Sequence, residues 1–162
     1  MRLLIIDDEK PILDILKKVL TPGGHSCKLH DNPVKAVESF KKHTYDVVMT
    51  DINMPKMNGI EVLKAIRASD KKARVIIFTG YGDLETAIAA INNGAYAFFS
   101  KPINFKELMD TLKKIESELD EDKKREIDYS RLMEEYAKLR DAYSSLKTLI
   151  AKSDKNPENR QK

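Results

Sequence analysis

Asp51 closes an apolar run, Tyr45-Asp46-Val47-Val48-Met49-Thr50, and opens onto Ile52-Asn53-Met54-Pro55 and then Asn58-Gly59. Asp7-Asp8 close a second run, Leu3-Leu4-Ile5-Ile6, and Lys101 lies just past a third, Ala97-Phe98-Phe99. An aspartate where a buried strand spills into a Pro/Gly loop stands at the C-terminal edge of a sheet, the edge at which open α/β sheets bind ligands. A carboxylate pair plus a third carboxylate offers hard oxygen ligands, which suit Mg²⁺ above other ions. Histidine and cysteine are missing from these strand ends, which argues against zinc. Lys101 is a flexible point charge fitted to a phosphoryl oxygen. Thr79 adds a hydroxyl at the end of its own run, and Gly80 after it leaves a passage to the site. One reaction uses all of these parts: in-line transfer of a phosphoryl group to a carboxylate oxygen of Asp51, with Mg²⁺ and Lys101 neutralising the transferring group.

These residues share one edge only if the elements around them are arranged to put them there. Short apolar runs fall at 2–6, 25–29, 45–50, 74–79 and 95–99, with helical spacing between them. Ile12, Leu13, Leu16, Val19 and Leu20 form one stripe; Val34, Val37, Phe40 and Lys41 a second; Ile60, Val62, Leu63 and Ile66 a third. Leu84, Ala87, Ile88 and Ile91 form a fourth, and Phe105, Leu108, Met109, Leu112 and Ile115 a fifth. Pro22-Gly23-Gly24 and Asn92-Asn93-Gly94 stop the first and fourth helices, and Asn32-Pro33 starts the second. Strands alternating with helices predict a parallel sheet covered on both faces. Right-handed crossovers then bring Asp7, Asp8, Asp51, Thr79 and Lys101 to one edge.

Composition limits the alternatives. The 162 residues suffice for one domain with a core plus an extension, and the net charge of +3 is too balanced to make nucleic acid the main partner. A single cysteine, Cys27, rules out an intrachain disulfide and a cysteine metal site. No run has the length of a signal peptide or a membrane span, so a cytoplasmic location with no membrane partner is expected.

Beyond Ile115 the character changes. Residues 116–128 are mostly charged, and no Pro or Gly occurs between Pro102 and Pro157, so nothing stops the fifth helix. A helix from 104 to 151 would run about 70 Å at ~1.5 Å per residue. From 129 a heptad begins, with Tyr129, Tyr136, Tyr143 and Ile150 at a and Leu132, Leu139 and Leu146 at d. The same frame carried backward puts Asp122 at a and Arg125 at d, so the seam is apolar only past 128. This predicts self-association, most simply as a parallel homodimer in which Glu135 at g meets Arg140 at e. Packing back on the same chain is the alternative. The boundaries expected are 1–118 for the phosphoacceptor domain, 119–152 for a helical, coiled-coil extension, and 153–162 for a disordered tail. The polar end from Pro157 reads as a natural terminus.

Residues 1–118 resemble a receiver domain of two-component response regulators. The matching pieces are Ile5-Ile6-Asp7-Asp8-Glu9, Asp51-Ile52-Asn53-Met54-Pro55 with Asn58-Gly59, Thr79-Gly80 and Lys101-Pro102. The stretch Phe78-Thr79-Gly80-Tyr81-Gly82-Asp83 resembles receivers of the nitrogen-regulatory type. The resemblance implies a doubly wound, flavodoxin-like sheet in order 2-1-3-4-5, with Asp51 as phosphoacceptor. It implies that Asp8 and Asp51 bind Mg²⁺ directly, that Asp7 acts through water, and that Asn53 lends its backbone carbonyl. Thr79 would be the switch hydroxyl, Lys101 the phosphoryl-binding cation, and Phe98 the aromatic switch residue, working by packing because it lacks a hydroxyl. The partner implied is a sensor histidine kinase or a phosphotransfer protein. A cis Lys101–Pro102 bond is also expected.

Taken singly, these residues have plainer readings. Asp7-Asp8 could cap a helix, Lys101 could be a surface lysine, Thr79 a strand former, and Phe98 plain core. His25, His30 and His43 read as structural or surface, and Cys27 as a small buried hydrophobe. A haloacid-dehalogenase-like phosphatase would need an acid two residues after Asp51, where Asn53 stands, and a substrate cap. No helix-turn-helix follows residue 118 and no Gly-rich phosphate loop with Lys-Ser/Thr is present. No DNA-binding or ATPase output is therefore expected, and the chain reads as a signalling protein rather than an enzyme. A phosphorelay intermediate and a piece of a longer transcriptional regulator remain open.

Overall fold

The computed structural model describes residues 1–80 and 84–153. In chain order the elements are β1 (Arg2–Ile6), α1 (Lys10–Leu20), β2 (Ser26–His30), α2 (Pro33–Lys42), β3 (Val47–Asp51), α3 (Gly59–Ser69), β4 (Arg74–Thr79), α4 (Leu84–Asn92), β5 (Ala97–Ser100) and α5 (Phe105–Ser153). The five strands are all parallel, in the order β2-β1-β3-β4-β5. This is the doubly wound, flavodoxin-like receiver fold, with a long C-terminal helix. The order reverses direction between β1 and β3, and the crevice beyond the strand ends at such a reversal is where ligands settle.

The continuous apolar strands follow from burial on both faces. Leu3 to Ile6 are at most 1% exposed, and every residue of β3 is buried. Each such Leu or Ile contributes about 2 kcal/mol by leaving water. β2, at the edge, is only partly covered. It begins one residue later than its apolar run suggests, leaving His25 buried just ahead of it. α1 buries Leu13, Leu16 and Leu20, and α3 buries Val62, Leu63 and Ile66. α5 buries Leu108 and Leu112 early in its length.

Two helices leave part of their predicted apolar stripe exposed. In α2, Pro33, Ala36 and Val37 are buried while Val34 is 41% exposed. In α4, Ala90 is fully buried while Ile88 and Ile91 are exposed. Alanine lets a helix axis approach the sheet closely, so close approach rather than side-chain size selects the inner face there.

Helix starts are fixed by side chains. The Asn32 side chain accepts from the Val34 and Lys35 N–H groups at 3.1 and 3.2 Å. Asn58 and Glu61 form a reciprocal capping box at 2.9 and 2.8 Å, which sets where α3 begins after the loop from β3. Chain contacts divide the protein into Met1–Lys113 and Lys114–Lys162. The described part of the second unit is helix, and α5 ends at Ser153. Of the disordered tail expected at 153–162, Ser153 closes α5 and the remaining residues lie outside the described residues.

Candidate functional site

β1, β3, β4 and β5 bring Asp7, Asp8, Asp51, Thr79 and Lys101 to one edge of the sheet, as the alternation of strands and helices predicts. Asp7, Asp51 and Thr79 are 1%, 4% and 1% exposed, while Asp8 stands in solvent at the rim. The Lys101 ammonium lies 2.7 Å from Asp51 Oδ1 and 2.9 Å from Asp7 Oδ2. Lys101 is therefore a half-buried counter-ion shared by two carboxylates, and not a freely solvated surface lysine. Asp7 is no helix cap either. Its Oδ1 accepts the Glu9 N–H at 2.9 Å, and the N-cap of α1 is Glu9, whose side chain makes no capping bond.

The carboxylate of Asp51 is met at both oxygens, by a backbone hydrogen bond at Oδ2 and by the Lys101 charge at Oδ1. Its Oδ2 accepts the Asn53 N–H at 2.8 Å. Its Oδ1 is buried and, among the described residues, accepts no hydrogen bond with good geometry, although Lys101 faces it as a charge. Burial raises the Asp7 carboxyl above its ordinary value, and the Lys101 hydrogen bond only partly opposes this. Burial works to depress the Lys101 ammonium, but bonds and charges from Asp51 and Asp7 outweigh it, and its pKa is raised. The site therefore keeps a cation among acids at neutral pH. The backbone ladder runs on past the strands: Ile52 N–H donates to Phe78 O at 2.9 Å and Lys101 N–H to Thr79 O at 2.6 Å. The Lys101–Pro102 bond is cis.

The oxygen-only donor set and the buried, under-satisfied Asp51 Oδ1 fit a hard divalent cation. Among the described residues no three acidic, His or Cys side chains already stand as a finished cation cage. Mg²⁺ does not need one, since it keeps several waters and is usually bound through one or two carboxylates plus phosphate.

Phe98 is half-buried against the core cluster that holds Val48, Ile77 and Ala90, so it reaches the interior by packing. His43 is exposed, and burial lowers the half-buried His30 below its usual value. Cys27 is half-buried with its thiol pKa raised by burial, as suits an inert position.

Two features escape sequence reasoning. Glu9 Oε1 stands 3.7 Å from the Lys101 ammonium, a third acid whose only trace is its place beside Asp7-Asp8. Gly59 is forced by proximity: a Cβ there would collide with the Asp51 carbonyl oxygen and come 2.9 Å from Ile52 Cα. The pair Asn58-Gly59 signals a turn but not that contact. Gly80 differs, because a Cβ there would meet nothing within 4 Å among the described residues.

A family model described as the response regulator receiver domain matches residues 3–113. Sporulation initiation phosphotransferase F of Bacillus subtilis (strain 168) is 34% identical over 113 residues, which is 70% of this chain and 91% of that protein. The transcriptional regulatory protein ZraR of Escherichia coli (strain K12) is 34% identical over 112 residues, 69% of this chain but only 25% of that protein. A response regulator receiver domain protein from Clostridium thermocellum superposes with a TM-score of 0.70 at 31% identity, covering 74% of this chain and 96% of that one. The beryllofluoride-activated NtrC4 receiver domain dimer superposes at 0.69 with 30% identity, covering 72% and 97%. With the parallel sheet, the acidic edge and the shared lysine, these matches establish that the chain belongs to the response regulator receiver family of two-component signalling, whose domains accept phosphoryl groups and are not conventional enzymes.

Proposed function

We propose that Asp51 is the phosphoacceptor, loaded from the phosphohistidine of a sensor histidine kinase or a phosphotransfer protein. The observation that carries this is the Lys101 ammonium set between Asp51 and Asp7 at 2.7 and 2.9 Å. A lysine so placed pairs with the carboxylate and would meet the arriving phosphoryl oxygens. The Asn53 N–H orients the Asp51 carboxylate through Oδ2, and a carboxylate oxygen would attack phosphorus. The new O–P bond forms as the P–N bond breaks, and the histidine leaves with the electron pair and takes a proton. Asp8 and Asp51 would hold Mg²⁺ directly, Asp7 through a water, and Asn53 by its backbone carbonyl; when bound, the ion supplies positive charge for the transferring group. The chain itself supplies what the transfer and the later hydrolysis need. Output then passes through the receiver surface and α5, with a homodimer formed through the C-terminal helix and no direct contact with nucleic acid. The proposed location is the cytoplasm. Among the described residues no helix is long and apolar enough to cross a membrane.

Acetyl phosphate tests the reading. Intact mass should show one added phosphate with Mg²⁺ and none with EDTA. Uptake that ignores Mg²⁺ would overturn the role given to the acidic edge. Lys101→Ala should slow uptake about 10²-fold, because a fixed cation facing developing charge is worth that much in a water-poor site. Stopped labelling reactions measure it.

Thr79 and Phe98 are proposed to report the phosphoryl group. Thr79 is buried at the end of β4 and paired in register with Ser100 of β5, two residues beyond Phe98. Thr79→Ala should label at close to the normal rate while amide shifts in α4 and β5 fail to follow. Loss of labelling itself would make Thr79 part of the transfer chemistry.

A second reading, a phosphorelay intermediate, draws support from one comparison. The match spans 91% of a Bacillus phosphotransferase but only 25% of the ZraR regulators.

A further inference from the structure

The family match ends at residue 113, and from Ile127 onward the large apolar side chains of α5 are exposed. From Tyr129 to Ile150 they are 47–69% exposed, an extent a lone helix in water does not sustain. We propose that this stretch pairs with the same stretch of a second copy as a parallel, in-register coiled coil whose pairing stops just before Tyr129. The proposal rests on the homodimer reading above and adds its orientation, register and limit.

The seam has an apolar residue at every a and d position from 129 to 150. Tyrosine suits the a layers if its ring covers the flank and its hydroxyl stays in water. Parallel and antiparallel pairing bury the same seam residues, so orientation is decided at the flanks. In a parallel pair each g residue faces the next e residue of the partner. Glu135 then meets Arg140, twice by symmetry, while Asp128 meets Met133 and Ala142 meets Lys147. Opposite charges meet and no like charges do. In the antiparallel overlap e faces e, and Arg140 is set against Arg140 of the second copy.

The limit comes from the same frame. One heptad before Tyr129 the a position is Asp122, and the d position is Arg125. Arg125 is already held to Asp122 within its own helix, Nη2 to Oδ1 at 2.7 Å. In register, Asp122 would face Asp122 and Arg125 would face Arg125. Two such layers in succession drive the helices apart.

The single cysteine makes the test clean. In a Cys27→Ala background, Leu132→Cys, Leu146→Cys and Asp122→Cys are each oxidised in air with copper phenanthroline, after light scattering at tens of micromolar. Leu132→Cys alone and Leu146→Cys alone should each give about tenfold more covalent dimer than Asp122→Cys, because a disulfide demands close, matched Cα atoms. Cross-linking only when the Leu132→Cys and Leu146→Cys proteins are mixed would mean antiparallel pairing and overturn the orientation. Equal yield at Asp122→Cys would overturn the limit. A monomer in light scattering with no cross-link at any position would instead remove the homodimer reading, leaving the Asp51 chemistry untouched.

Discussion

Asp51→Ala should produce a folded protein that takes up no phosphate at all. The loss is expected to be complete because no other acid at this edge shares its setting. Asp7 also meets a backbone N–H and the Lys101 ammonium, but its Oδ2 takes a well-aligned hydrogen bond from that ammonium, which Asp51 Oδ1 does not. Asp8 and Glu9 are exposed, without a fixed donor to hold their oxygens in line. Folding should survive because Lys101 keeps Asp7 as partner, and the charge of Asp51 that helps raise the Asp7 pKa is gone. Intact mass after acetyl phosphate and Mg²⁺ treatment, with a thermal melt alongside, gives both halves. A labelled Asp51→Ala protein would move the acceptor elsewhere.

Gly59→Ala should be the most destabilising single methyl in the receiver. Alanine at a helix start gains up to ~1 kcal/mol over glycine in propensity. The added Cβ would run into the Asp51 carbonyl and stand 2.9 Å from Ile52 Cα, and backbone cannot swing aside as a side chain can. Overpacking of this kind costs about 3 kcal/mol, so the clash wins by about 2. The Gly59 N–H also donates to Ile52 O at 2.9 Å, so relief of the clash strains the loop carrying Asp51. A Tm lower by roughly 10 °C is expected for a unit of this size, with slower phosphate uptake. Gly80→Ala serves as the control. Among the described residues its Cβ meets nothing within 4 Å, and its stability should stay within about 0.5 kcal/mol of wild type. Equal melting of the two variants would show that the β3–α3 turn has room to give.

These two glycines mark where sequence reading reaches and where it stops. Both stand in turn-like company, and nothing in the letters says that only one touches the backbone of a residue eight positions earlier. The strands and the shared edge are legible because burial on two faces demands continuous apolar runs and handedness restricts the crossovers, whereas the strand order is implied only by the family resemblance. The inner faces of α2 and α4 are legible only in part: Val37 packs inward as its stripe predicts, while Val34, Ile88 and Ile91 are exposed and Ala36 and Ala90 are buried. Asp7, Asp51 and Lys101 can be named from strand ends. That one ammonium serves both acids with Glu9 beside it depends on side-chain torsions across 94 residues of separation.

The Thr79 carbonyl, tied to the Lys101 amide, gives the proposed switch an unusual economy. Strand β4 cannot slide past the cation-bearing loop without breaking a bond of 2.6 Å, so the main chain at Thr79 is fixed in place. In the proposed switch the response is one torsion, the rotation that carries the hydroxyl. The state of the molecule would then be stored as a rotamer, in one of a few staggered wells. Such a register resets as soon as the phosphoryl group leaves, because no secondary structure has to be rebuilt. Memory in this protein would last as long as the acyl phosphate and no longer.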